Sequence, residues 1–195
     1  VPDNFAAVPK PVRDDAFIYS YSGSRIGLGH APPSLEDIAV SLGRLCRFTG
    51  HCRIFYPVLL HSMAVSDLVH VENTRAALLH DAAEIYLSDI PTPFKAPEMK
   101  AIEMRLLMPI FSKYLDQYEL LEWVGRGHEL VKVADREVFT AEVHLLGCAG
   151  LRAWVGESYP DVEEKVQEYI DRYPIEECVR PDGKAVIEFI RRARQ

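Results

Sequence analysis

Five side chains in this sequence stand where polar groups cost most. His61 shares a helical stripe with Val58, Val65 and Leu68, so its imidazole points inward with the apolar residues. Ala76 to Leu87 is apolar nearly all round and reads as a buried helix, yet it carries His80, Asp81 and Glu84. A carboxylate in such surroundings is expensive unless it is paired or bound to a metal. Neighbours on a helix diverge by about 100°, so His80 and Asp81 converge on one ion where the packing bends. Glu84 lies one turn further along the same face. Asp135 repeats the anomaly among Val131, Ala134 and Val138.

Each of these has an ordinary explanation when taken alone. A core histidine can bond a carbonyl, and Lys132 offers Asp135 an ion pair one turn away. Together, His61, His80, Asp81 and Asp135 form a nitrogen and oxygen donor set from three separate helices. That set suits Zn, Mn, Fe or Co, with Mg as a candidate second ion, and suits calcium poorly. Solvent would fill the remaining positions, and a water so held attacks phosphorus near neutral pH. Glu84, just outside the ligands, is placed to take or deliver a proton.

The elements that must position these groups are almost all helical. Residues 1–33 read as an irregular segment, with Phe17-Ile18-Tyr19 as a short strand turning at Ser22-Gly23. Residues 34–195 read as one helical domain. Ser34 and Asp37 form a variant capping box for a helix that Thr49-Gly50 ends. Pro57 opens a second helix to about Val71, and Asn73 or Thr74 caps a third through Leu87, closed by Ile90-Pro91-Thr92-Pro93. Further helices are predicted from Pro97 to Tyr114 with a kink at Pro109, from Glu119 to Leu146 with a break at Gly125-Arg126-Gly127, and over Val162–Tyr173 and Asp182–Ala193.

Composition narrows the class. With 195 residues and 48% apolar side chains, the chain can bury one substantial core. No apolar run approaches the ~20 residues of a membrane span. Val1-Pro2-Asp3-Asn4 lacks a signal-peptide pattern, which leads to the expectation of a soluble cytoplasmic protein, of bacterial origin or from a phage-infected cell. A net charge of −7 argues against a stable nucleic-acid complex. The cysteines, Cys46, Cys52, Cys148 and Cys178, form no C-x-x-C pair and read as small buried hydrophobes in a reducing compartment.

Several stretches resemble the HD-domain phosphohydrolases. They are Arg47-Phe48-Thr49-Gly50-His51, Tyr56-Pro57-Val58, His61-Ser62, Leu78-Leu79-His80-Asp81-Ala82-Ala83-Glu84, Leu87 to Lys95, and Lys132-Val133-Ala134-Asp135. Within that superfamily the sequence is most similar to small bacterial and phage enzymes that hydrolyse deoxynucleotides, the bacterial 5′-deoxynucleotidases and the phage dATP triphosphohydrolases. The resemblance extends from Ser34 to Glu142 and implies an all-α, compact HD-domain helical bundle. It implies His61, His80, Asp81 and Asp135 as metal ligands and Glu84 as catalytic carboxylate, with Asp89 assisting. It also implies Arg47, Lys95 and Lys132 as phosphate contacts, and Phe48, where relatives commonly carry tryptophan, as the residue against the deoxyribose or base.

Arg47 suits bidentate phosphate binding, and the two lysines suit point-charge contacts. Three cations balance a polyphosphate better than a monophosphate, so the leading expectation is hydrolysis of deoxynucleoside triphosphates such as dATP by metal-activated water. The alternatives are a 5′-nucleotidase acting on deoxynucleoside monophosphates and a non-catalytic metal- or nucleotide-binding module. Assembly as a homo-oligomer is also expected.

Overall fold

The computed structural model describes residues 13–147 and 149–195. The part of the irregular-segment expectation that concerns residues 1–12 lies outside the described residues. What is described is an all-α bundle with one small hairpin at its edge. The hairpin pairs β1 (Phe17–Tyr19) antiparallel with β2 (Arg25–Gly27), turning through Ser22-Gly23 as the sequence suggests. It is anchored to the bundle by Asp37, which accepts hydrogen bonds from the Ser22 amide and hydroxyl and from the Ser34 hydroxyl. Ile26 and Leu28 of this segment are buried in the core.

Helix α1 (Leu35–Arg44) starts at the expected Ser34–Asp37 capping box. It stops well before the predicted Thr49-Gly50. Leu45 turns to extended geometry, the Arg47 amide bonds the Tyr56 carbonyl, and the Val58 amide bonds the Leu45 carbonyl. This long-range pairing takes the backbone groups that a longer helix would have used, so Arg47 and Phe48 sit in a tight turn, not on a helix. Helix α2 (Val58–Asp67) begins after Pro57 and is buried on nearly every side.

The predicted third helix is divided into α3 (Thr74–Leu79) and α4 (Glu84–Leu87) by a tighter turn over residues 80–83. There the amides of His80, Ala82 and Glu84 each reach back three residues. Helix α5 (Pro97–Tyr114) runs as predicted and passes unbroken through Pro109. The predicted 119–146 helix appears as α6 (Gln117–Glu122) and α7 (His128–Leu146), separated by a π-helical turn at Trp123–Gly127 that covers the suspected Gly-Arg-Gly break. Then follow α8 (Ala149–Arg152), α9 (Pro160–Arg172), α10 (Ile175–Val179) and α11 (Lys184–Ala193); α8 and α10 were not foreseen.

Helix α2 lies at the centre, against α1, α3, α7, α9 and α11, with Met63, Leu59, Leu78, Ile38 and Phe189 among the fully buried side chains. Among the described residues, no helix is long and apolar enough to cross a membrane. The approach of α1 to α10 depends on Gly43, where an added Cβ would lie 2.0 Å from the Cys178 carbonyl oxygen. A carbonyl fixed in the backbone cannot swing aside. Gly43→Ala should therefore destabilise the fold by about 1–3 kcal/mol, the usual cost of overpacking, despite the better helix propensity of alanine. Urea unfolding checks this, with wild-type stability or better as the contrary result.

Candidate metal centre

The site is built where α2, the 80–83 turn and α7 meet. His61 is completely buried in α2, and its Nδ1 lies 2.8 Å from Glu142 Oε1. His80 Nδ1 lies 2.6 Å from the Ala77 carbonyl oxygen. A carbonyl or carboxylate oxygen only accepts, so both rings must donate from Nδ1, and each is left with Nε2 for another partner. Neither Nε2 has an aligned hydrogen bond, although both are buried.

These two nitrogens face the same carboxylate. His80 Nε2 is 3.2 Å and His61 Nε2 is 3.7 Å from Asp81 Oδ2, and the ring centroids are 5.4 Å apart. The ligand atoms of His61, His80 and Asp81 lie within 4.8 Å of one another, close enough for one ion. Asp135 borders this trio, with Oδ1 3.1 Å from His61 Nε2 but off the line of a hydrogen bond. It is not tied to Lys132, which pairs at 3.5 Å with Glu129. The donor set fits a cation because two orphaned nitrogens, each fixed by its opposite ring atom, converge on carboxylate oxygen.

Electrostatics agree. Burial opposes charge on His80, but the Asp81 carboxylate outweighs it and raises the pKa to about 9. Burial and the Arg47 charge oppose the imidazolium of His61, yet Glu142 and Asp135 still raise its pKa. Burial also works against ionised Asp81, but the neighbouring imidazoles hold its carboxyl well below the usual range.

Glu84, the first residue of α4, is buried and its Oε2 has no hydrogen-bond partner. Burial first, then the Asp81 and Asp89 carboxylates, push its carboxyl well above the normal range. His80, Asp81, Glu84 and Asp135 all open onto a cleft of about 470 Å³ that Lys95, Lys100 and Lys132 also line. A larger groove of about 920 Å³ lies elsewhere, and its charged walls pair with one another, as in Arg75 with Glu119. It offers no comparable set of converging donors.

Not every expected site residue joins the cleft. Arg47 is buried with its Nε 2.9 Å from Glu142 Oε2, and its Nη1 is 3.8 Å from Asp81 Oδ2. It braces the centre from behind. Phe48, with φ of 56°, lies beneath that guanidinium and 5.8 Å from the Phe139 ring. Neither residue lines the cleft, and neither does Asp89. In this structure Arg47 and Phe48 make contacts within the protein, to Glu142 and to Phe139. Lys95 does line the cleft but forms a 2.8 Å ion pair with Glu103.

Sequence reasoning missed Glu142 and His128. Glu142 is completely buried and joins His61 to Arg47, and it lies two turns beyond Asp135 on the same face of α7. That spacing was a usable signal. His128 lines the cleft with its ring against Trp123, brought there by the π-helical turn.

The fold and site together define an all-helical protein with a buried histidine–aspartate cluster able to hold a metal ion. No model of a known protein family matches the sequence. The chain is 45% identical over 82 residues to the uncharacterized protein YfdR of Escherichia coli (strain K12). That stretch is 41% of this chain and 46% of YfdR, so the match spans about half the length of the curated relative.

Two outcomes test the centre. Metal ligation needs neutral imidazoles, so with His80 near 9 in the metal-free protein, binding at neutral pH must displace protons. Apparent affinity should rise with pH up to about 9, roughly tenfold per pH unit for each proton displaced, and flatten above it. Titrations with a transition metal from pH 6 upward read this, and pH-independent binding would remove the histidines from the site. Glu142→Gln keeps the volume but turns an amide N–H₂ toward either His61 or Arg47, each of which needs an acceptor. Metal affinity should fall about 10–100-fold with the helical fold retained, as when other supports of ligand histidines are lost.

Proposed function

We propose that this protein is a metal-dependent phosphohydrolase acting on deoxynucleotides. One observation carries the reading. Two buried histidine nitrogens, each oriented by a donating Nδ1–H, converge on Asp81 beside a cleft that Glu84 also lines, its buried Oε2 without a hydrogen-bond partner. His61, His80 and Asp81 would hold the ion, with Asp135 beside them. A divalent transition metal bound there supplies Lewis acidity to a phosphoryl oxygen and makes water nucleophilic near neutral pH.

The chain's own residues supply the rest. Burial and the nearby carboxylates push the Glu84 carboxyl up, which suits it to deliver a proton to the leaving oxygen. Lys100 stands at the cleft wall, where it can attract and orient an anion. The deoxynucleotide assignment draws on the resemblance of the motif residues to the HD-domain enzymes.

Charge pairing favours the monophosphate alternative over a triphosphate. Of the three cations expected to balance a polyphosphate, Arg47 is committed to Glu142, Lys95 to Glu103 and Lys132 to Glu129. Among the described residues, Lys100 is the cleft lysine without an ion pair within 4.0 Å. A divalent ion and one such lysine match a monophosphate dianion more closely than the roughly fourfold charge of a triphosphate.

The experiment is turnover of deoxynucleoside mono- and triphosphates with Co, Mn, Zn and Mg, with products identified by mass. We expect metal-dependent release of inorganic phosphate and a higher kcat/KM for the monophosphate. Glu84→Gln should retain the ion and lose on the order of 100-fold or more in kcat. A wild type that prefers the triphosphate would reinstate the polyphosphate reading. Metal binding with no turnover of either class would point to a non-catalytic module.

A further inference from the structure

Cys46 and Cys52 have their sulfur atoms 3.7 Å apart. Both are half-buried, not sealed in the core, and they bracket the turn that carries Arg47. Their environments differ in a useful way. Cys46 is held in a β-bridge to Pro57, locked by the Arg47 amide on the Tyr56 carbonyl and the Val58 amide on the Leu45 carbonyl. Cys52 lies at the other end of the turn, where its thiol donates to the Ile54 carbonyl at 2.9 Å. Between them Phe48, Thr49 and Gly50 all have positive φ, of 56°, 54° and 79°, so the chain doubles back sharply enough to bring the two side chains together.

We propose that Cys46 and Cys52 form a dithiol site that peroxide-class oxidants convert to a disulfide. A disulfide needs sulfurs about 2.05 Å apart, so closure takes less than 2 Å of movement. With Cys46 fixed by the bridge, that movement falls on Cys52 and the turn. The thiolate of one cysteine attacks the peroxide O–O bond, giving a sulfenic acid and releasing one water after proton uptake. The second thiolate displaces the hydroxyl from that sulfur as another water and forms the S–S bond. Two thiols are oxidised, one peroxide is reduced, and two waters leave. The resulting ring encloses residues 47–51 and so fixes the turn that carries Arg47, the residue paired with Glu142. The site needs no cation, so it stands or falls separately from the phosphohydrolase reading.

Tryptic cleavage makes the test direct. Cuts after Arg44, Arg47 and Arg53 place Cys46 in Leu45–Arg47 and Cys52 in Phe48–Arg53. The full-length native protein is treated with dilute hydrogen peroxide, quenched, alkylated and digested without reductant. We expect these two peptides joined, a mass loss of about 2 Da on the intact chain, reversal by a dithiol reductant, and Cys178, fully buried, still alkylatable only after unfolding. Cys46→Ser should abolish the joined peptide. The same treatment in urea should give scrambled links that include Cys178, because proximity there no longer comes from the fold. Both thiols surviving, sulfinic acid without a link, a link to a different cysteine, or the same products in urea as in native buffer would each overturn the proposal.

Discussion

The carboxylate of Glu142 is the contact on which the rest of the centre depends. It is fully buried, and each oxygen has one cationic or donating partner: His61 Nδ1 at 2.8 Å and Arg47 Nε at 2.9 Å. A buried ion pair gains little net stability, because desolvation offsets most of the attraction. What it does supply is orientation. The acceptor on Nδ1 fixes the tautomer of His61 and turns Nε2 toward Asp81. The Arg47 guanidinium beyond it adds positive charge that keeps Asp81 ionised. One side chain in α7 thus connects α2, the turn after α1 and the 80–83 turn.

The same network explains why a cation belongs there. Asp81 and Asp135 put negative charge beside two buried imidazoles whose Nε2 atoms have no aligned hydrogen bond. The raised histidine pKa values show that the surroundings stabilise positive charge there, which a proton can supply. A divalent ion does so with better geometry, since it accepts the nitrogen lone pairs directly. Glu84 sits at the edge of the field, its pKa pushed up where that of Asp81 is pushed down, and the difference comes from position. Asp81 has imidazoles against it, whereas Glu84 has burial and two carboxylates. Two acids three positions apart thus have their pKa values pushed in opposite directions.

Much of this was legible in the sequence. A buried-helix pattern interrupted by His80, Asp81 and Glu84 is an energetic contradiction that only pairing or a metal resolves, and His61 on an apolar stripe points the same way. The all-helical fold followed from the 3.6-residue periodicity, and the Ser34 cap from its spacing to Asp37. The misplaced end of α1 has one cause. Local pattern carries no information about Tyr56, whose carbonyl takes the Arg47 amide and draws the chain into a turn before Thr49-Gly50. The pairs of Lys95 with Glu103 and of Lys132 with Glu129 were not legible, because those acids are common surface residues with no motif of their own. Cys46 and Cys52 carry no recognised spacing, and only the left-handed run at residues 48–50 brings them together.

Two departures from regular helix then account for how the ligands converge. In an unbroken helix, His80 and Asp81 diverge by about 100°. The tightened 80–83 turn moves that angle, and the Ala77 carbonyl accepts the His80 ring as well as its amide. On the other side, the π-helical turn at Trp123–Gly127 rotates α7 relative to α6. It is tolerated because residue 127 is glycine, where an added Cβ would lie 2.3 Å from Asn73 Oδ1. The resulting register of α7 sends Asp135 and Glu142 to His61 while His128 and Lys132 face the cleft. Asp135 beside the histidines, the Glu142 support of His61 and part of the cleft wall therefore come from one helix. The irregular backbone is concentrated where the chemistry is because regular helix cannot aim three segments at one point.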